Sequence, residues 1–319
     1  MKFGLTLPNR GIFFNVMSYA DLLDMVEAAD RSEAFQSVWV GDSLFGKPRP
    51  ESVTLLAAIA GRTKRVRLGP ACMASFPLRD PVQLAYQWAT LDQLAGGRSI
   101  LVACTGIVPQ EGGKVEGKLY GLQPRDRAVR LVEWITLIKK LWTEDNVSFE
   151  GEHYRCENIT LEPKPKAQPR PPIWIANNAT GSKTLIERTH QRVVDHADGW
   201  ETSISEPSDV RWRLEDIRQK SRDSGRDPAS IETHLYHNIN VNEDKDAALA
   251  ESQRFLREYY AMDMDERAKT WVATGSPEQC IEHLRVYKEM GISEVALRIT
   301  GWDQWGQFKR VTEEVLPYV

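Results

Sequence analysis

Residues 172–202 read PIWIANNATGSKTLIERTHQRVVDHADGWET. An apolar run (Ile173, Trp174, Ile175) passes through small polar residues into an amphipathic stretch, and a second short run, Gly199 to Thr202, follows. Strand, turn, helix and strand in that order make one βα unit, and a run without polar alternation suits a strand buried on both faces. Outward from this unit the period repeats in both directions. The expected strands are Phe3 to Leu7, Ser37 to Val40, Val66 to Gly69, Ser99 to Cys104, Pro172 to Ala176, Gly199 to Thr202, His234 to Val241 and Glu294 to Ile299. Eight parallel strands with intervening helices can close into a barrel, whereas open doubly wound sheets more often stop at about five to seven. Right-handed crossovers then place the helices outside. The expected fold is therefore α/β, a (β/α)8 TIM barrel in one domain over residues 1–319, with insertions after strands four and seven.

Helix ends agree with this register. Asp80 can cap a helix with Pro81 at its first position, and Gly96-Gly97 follow where a left-handed stop is needed. Ser276-Pro277-Glu278-Gln279 has the residues of a capping box. Three segments interrupt the alternation: 106–124, 146–172, with a hairpin expected from Val147-Ser148-Phe149 to His153-Tyr154-Arg155, and 259–275. Long loops in a compact domain usually carry function or a lid.

Composition excludes several classes. The net charge of −4, with Lys and Arg dispersed, offers no basic stripe for a nucleic-acid backbone. No apolar run approaches the roughly 20 residues of a membrane span, and no signal sequence leads the chain, so a cytoplasmic protein with no membrane partner is expected. Cys72, Cys104, Cys156 and Cys280 lie far apart without a C-x-x-C, which fits reduced thiols. Metal chemistry is not expected, since no H-x-H, H-E-x-x-H or carboxylate cluster falls at a strand end.

Ligands of a parallel barrel bind at the carboxyl ends of the strands. The turn Asn177-Asn178-Ala179-Thr180-Gly181-Ser182 opens a helix whose free amides would suit a phosphate, although many ordinary βα turns look alike. His237 lies within strand seven and reads either as an acid or base or as a hydrogen-bonded core histidine. Arg298, near the end of strand eight, needs either a protein carboxylate or an anionic ligand if buried.

These segments resemble the luciferase-like monooxygenase family, and the likeness runs nearly end to end. It is carried by Lys2-Phe3-Gly4-Leu5, Ser37-Val38-Trp39-Val40-Gly41-Asp42, Arg67-Leu68-Gly69, Asp80-Pro81-Val82, Gly96-Gly97-Arg98, Pro171-Pro172-Ile173-Trp174, Ala197-Asp198-Gly199-Trp200 and Gly275-Ser276-Pro277-Glu278. The resemblance implies a (β/α)8 barrel and a flavin: reduced FMN with O2 acting on a small organic substrate, or, in some members, a deazaflavin coenzyme used for hydride transfer. It places the phosphate at Asn177, Asn178, Thr180 and Gly181, and the ring over Ala71 and Cys72, with a non-prolyl cis peptide between them. Thr105 and Gly106 would line the same pocket, and Cys104 matches a cysteine near the flavin in luciferase. The insertion 259–275 corresponds to a lid whose Tyr259, Tyr260 and Trp271 would exclude water.

Two positions depart from the family pattern. Ser43 stands where many members carry His, and Thr105 where luciferase carries Arg. The expected catalytic residues are accordingly Ser43, His237 and Arg298. The leading expectation is a two-component monooxygenase served by a separate NAD(P)H:flavin reductase, because the chain has no G-x-G-x-x-G fingerprint of its own. The alternatives are a deazaflavin-dependent oxidoreductase, whose polyanionic coenzyme calls for basic groups that form no run in the sequence, or a flavin-binding barrel without turnover. A homo-oligomer is also implied by the resemblance.

Overall fold

The computed structural model describes residues 1–106 and 111–319. In chain order the strands are β1 (Lys2–Thr6), β2 (Ser37–Val40), β3 (Arg67–Pro70), β4 (Leu101–Ala103), β5 (Val147–Glu150), β6 (Arg155–Ile159), β7 (Ile173–Ala176), β8 (Gly199–Thr202), β9 (Glu232–Val241), β10 (Val272–Gly275) and β11 (Glu294–Ile299). The helices are α1 (Tyr19–Arg31), α2 (Ser52–Arg62), α3 (Pro81–Leu94), α4 (Glu111–Leu119), α5 (Asp126–Thr143), α6 (Lys183–His196), α7 (Pro207–Asp223), α8 (Lys245–Tyr260), α9 (Asp265–Trp271), α10 (Pro277–Glu289) and α11 (Gln304–Arg310).

Parallel pairing runs β3-β2-β1-β11-β9-β8-β7-β4. The parallel bridges Leu68↔Ser99 and Met73↔Ala103 then join β3 to β4 and close the ring. The result is the expected (β/α)8 barrel, and its eight strands are those legible in the sequence. β3 and β4 approach so closely that a Cβ on Gly69 would collide with the Ile100 carbonyl oxygen, so only glycine fits at this seam. The caps also match: Asp80 accepts from the Gln83 amide at 2.8 Å, and Ser276 and Gln279 form a capping box. β5 and β6 form the expected antiparallel hairpin outside the barrel.

Two features differ from expectation. The end of the 259–275 insertion is not loop but strand β10, which pairs with β9 over Asn238–Val241. β9 is longer than its neighbours, and β8 covers only Glu232–Leu235 on that side, so β10 takes the edge left open. Within the 106–124 insertion, α4 begins at Glu111, and residues 107–110 lie outside the described residues.

The barrel axis is filled by aromatic and ionisable side chains. The Trp39 and Trp174 rings lie 5.4 Å apart, and both pack on His234. His234 Nδ1 is 3.0 Å from Glu201 and its Nε2 3.6 Å from Glu294, which also accepts from Ser37 Oγ. Among the described residues no helix is long and apolar enough to cross a membrane.

Candidate active site

A cavity of about 710 Å³ opens at the carboxyl ends of the strands. Each wall is set by the segment that follows a strand. After β2, Asp42 is pinned by Ser52 Oγ and the Ser75 amide, both at 2.7 Å, so its carboxylate serves the fold. Ser43 Oγ accepts from the Lys47 amide at 2.9 Å, closing the turn that carries the Lys47 side chain inward. After β3 comes the non-prolyl cis peptide Ala71-Cys72, as the resemblance implied. The Cys72 and Cys104 sulfurs sit 2.7 Å apart on the cavity floor.

Thr105 and Gly106 follow β4 and line the cavity. Arg127 from α5 donates to the Thr105 carbonyl at 3.1 Å, and the Gly106 site has no room for a Cβ beside Ala74 O and Arg127. Arg127 is only 2 % exposed and lies 3.9 Å from the buried Glu116, which in turn accepts from the Phe45 and Gly46 amides. These acidic groups are therefore committed within the protein.

Beyond β7, Asn177 and Asn178 line the cavity, but their side chains first build the turn. Asn177 donates to Thr189 Oγ1 at 2.6 Å and accepts from the Ala179 amide, while Asn178 accepts from Thr202 Oγ1 and the Ser203 amide. Thr180 and Gly181 are exposed and do not line the cavity. The charge on this side comes instead from half-buried Arg192, one helical turn beyond Thr189 on α6, which has no hydrogen-bond acceptor among the described residues. Its guanidinium is a cation that burial alone disfavours.

The opposite wall is cationic and phenolic. Arg298, 1 % exposed, donates to the Tyr260 hydroxyl at 2.9 Å and stacks 3.8 Å from the Tyr259 ring centroid. Among the described residues its partners are a cage of tyrosines and not the protein carboxylate that was one of the two expectations. Burial opposes its charge, yet Tyr236, Tyr259 and Tyr260 together hold its pKa above the ordinary arginine value. Tyr260 also bonds to the Tyr236 hydroxyl at 3.0 Å. Burial raises the Tyr260 pKa, but Arg298, Lys47 and Arg49 outweigh it and bring the phenol down to about 8. Lys47, 6 % exposed with its ammonium 4.4 Å over the Tyr260 ring, is brought down to about 8 chiefly by burial. Arg267 from α9 reaches the same wall, held by Ser203 and lying 4.0 Å over Trp271.

Segments remote in sequence thus assemble the basic groups that no single run displayed. Tyr260 and Trp271 of the expected lid line the cavity, whereas Tyr259 is fully buried beneath it. Lys47, Arg192, Glu201 and Arg267 were not singled out by sequence. Only Glu201, at a strand end, carried any signal. It is 3 % exposed, its pKa is raised by burial against the counter-pull of His234, and it lines the cavity floor.

His237 requires correction. It faces out of the barrel, where its Nε2 lies 2.8 Å from His283 Nε2 on α10, and burial holds its pKa well below the usual histidine value. The strand phase explains this: His234 and Tyr236 point inward, so the residue one position on points outward. Among the described residues no cluster of His, Cys, Asp and Glu could hold a metal ion.

A family model described as luciferase-like monooxygenase matches residues 1–294. The chain is 26 % identical to an F420-dependent glucose-6-phosphate dehydrogenase of Amycolatopsis mediterranei (strain U-32), covering 92 % of this chain and 93 % of that one. A protein of the same name from Nakamurella multipartita is also 26 % identical, over 93 % and 92 %. Among solved structures, the monooxygenase RslO1 from Streptomyces bottropensis superposes with a TM-score of 0.82 at 22 % identity, covering 100 % of this chain and 98 % of that one. An F420-dependent secondary alcohol dehydrogenase superposes with a TM-score of 0.80 at 18 % identity, covering 98 % of both.

Proposed function

This chain belongs to the luciferase-like monooxygenase family, and we propose that within it the protein is a deazaflavin-dependent oxidoreductase acting on a small alcohol that carries an anionic group. The FMN monooxygenase expectation gives way to its alternative. The curated relatives named above, similar over more than nine-tenths of the chain, are F420-dependent dehydrogenases. The observation that carries the reading is the Lys47, Tyr260 and Arg298 wall, which sets a readily ionised phenol among cations inside the cavity.

The residues fit a phosphate-bearing coenzyme, since Arg192, a half-buried cation without an acceptor among the described residues, lines the cavity together with Asn177 and Asn178. Arg192, Asn177 and Asn178 would hold the phosphate, and Ala71, Cys72, Thr105 and Gly106 would form the floor and side of the ring site. When bound, the deazaflavin supplies two-electron hydride chemistry. The protein must then dispose of the hydroxyl proton, and Tyr260 as phenolate takes it. Arg298 and Lys47 stabilise that phenolate before the proton arrives and, with Arg267, hold the anionic group of the substrate. Ser43 orients Lys47 through the backbone, and Tyr260 and Trp271 keep water from the reacting face.

The test is reduction of oxidised F420, followed at its visible absorbance, with glucose 6-phosphate and propan-2-ol as substrates. Turnover with the phosphorylated sugar at a kcat/KM at least about tenfold above that of the uncharged alcohol is expected, one full ion pair's worth of discrimination. Turnover with the uncharged alcohol alone would remove the anionic-substrate assignment, and turnover with neither would remove the function.

A further inference from the structure

The cavity floor carries a pair of cysteines that the reaction above does not use. Cys72 follows β3, Cys104 follows β4, and both sulfurs line the cavity. The Cys72 thiol donates to Cys104 Sγ at 2.7 Å, and the Cys104 thiol is directed to the Met73 carbonyl at 3.4 Å. A disulfide bond is about 2.05 Å long, so joining them from 2.7 Å calls for about 0.7 Å of approach. The remaining cysteines have no such neighbour: Cys156 lies in the outer hairpin, and Cys280 is buried on α10 against the Ala273 and Gly275 carbonyls.

Their position gives the pair a consequence for the fold. β3 and β4 are the only neighbouring barrel strands among the described residues joined by isolated bridges rather than a continuous ladder. Leu68, Ile100 and Met73 make the backbone bonds of that seam. A covalent link from residue 72 to residue 104 would fasten it directly beside the coenzyme floor.

We propose that Cys72 and Cys104 are a redox-sensitive dithiol, which closes to a disulfide across the β3–β4 seam when the cavity is empty and is shielded when a coenzyme covers the floor. The oxidant is hydrogen peroxide. Cys104 sulfur attacks the O–O bond and loses its proton, leaving a sulfenic acid and one water. Cys72 sulfur then attacks the sulfenic sulfur, expelling the hydroxyl, which leaves with the Cys72 proton as a second water. The two sulfurs give up two electrons and the two peroxide oxygens gain them. A dithiol reductant reverses the link. The contact with Cys104, and then burial, hold the Cys72 thiol well above the usual range, which fits a resolving sulfur rather than the first attacker.

The whole chain is treated with hydrogen peroxide, quenched, unfolded, and its thiols counted, with non-reducing peptide mass spectrometry to locate any link. Free thiols are expected to fall from four to two, with one linked peptide pair containing Cys72 and Cys104 that dithiothreitol separates. Cys72→Ser is expected to give over-oxidised Cys104 and no link. All four thiols remaining, or over-oxidation of Cys72 and Cys104 without a link in the unsubstituted chain, would overturn the proposal. A second arm repeats the reaction with oxidised F420 and rests on the function proposed above, so binding is first verified by titration. If F420 binds, linking is expected to slow at least about tenfold at ten times its Kd or more, and an unchanged rate would overturn the shielding. If F420 does not bind, the functional reading fails while the first arm still decides the dithiol.

Discussion

Replacing Tyr260 by Phe removes one oxygen and keeps the ring. That oxygen accepts from Arg298 Nη1 at 2.9 Å and bonds to the Tyr236 hydroxyl at 3.0 Å. Arg298 Nε already lacks an acceptor, so the guanidinium would keep its place by stacking on Tyr259 and Tyr236 alone. A lost hydrogen bond to a buried charge costs about 1.5–3 kcal/mol, a drop of several degrees in Tm that leaves the fold intact. The catalytic loss is expected to be larger. A positioned base contributes about 10²- to 10⁴-fold, or roughly 3–5 kcal/mol of barrier. The sign in pH follows from two groups: phenolate accumulates as pH rises through about 8, while Lys47 loses its charge around the same pH, so kcat/KM for alcohol oxidation rises to a maximum near 8 and falls above it. In the variant both the rate and that rising limb should be lost, with KM little changed because Lys47, Arg267 and Arg298 remain. The assay is F420 reduction from pH 6 to 10, with circular dichroism as the folding control. A folded variant with kcat within about threefold of the parent and the same limb would refute proton transfer to Tyr260.

Other consequences can be measured separately. Arg192→Ala deletes a cation that has no acceptor among the described residues and should weaken F420 binding by about 10- to 100-fold without lowering Tm, whereas unchanged affinity would place the phosphate elsewhere. His237 and His283 are both held below the ordinary histidine pKa by burial, His283 at about 4. The unfolded chain therefore binds protons below pH 6.5 that the folded chain refuses, and stability should fall as pH drops from 6.5 towards 4. His283→Gln should flatten that slope in denaturant titrations, and an unchanged slope would assign it to other groups. Gly69→Ala should cost about 2–3 kcal/mol or more by driving β3 from the Ile100 carbonyl, a claim that a variant of native Tm would contradict.

The barrel was legible because its strands announce themselves locally. Apolar runs such as Ile173 to Ile175 cannot avoid burial on both faces, and Asp80 and Ser276 mark helix starts by chemistry confined to four residues. β10 was not legible, because Val272–Gly275 becomes a strand only where β8 stops short along β9. His237 shows that one residue can run against its own face: it shares the phase of the apolar Leu235, Ile239 and Val241, whereas His234, Tyr236, Asn238 and Asn240 form the inward polar phase. Of the positions that the resemblance suggested for the ring, Ala71, Cys72, Thr105 and Gly106 line the cavity. The basic wall was not, since Lys47, Arg192, Arg267 and Arg298 come from four segments that only the closed barrel brings to one end. Thr180 and Gly181 fit the phosphate motif by position, yet the open face of the turn is presented by Asn177, Asn178 and Arg192.

The central claim is the identity of the coenzyme, and direct binding tests it without knowledge of the substrate. Purified protein is titrated with oxidised F420 and, separately, with oxidised FMN, following quenching of tryptophan fluorescence. The arrangement of Arg192 with Asn177 and Asn178 predicts a Kd for F420 in the micromolar range or tighter, about −8 kcal/mol, and FMN at least about tenfold weaker. FMN binding more tightly than F420 would contradict the account and return the protein to the oxygen-dependent branch of its family.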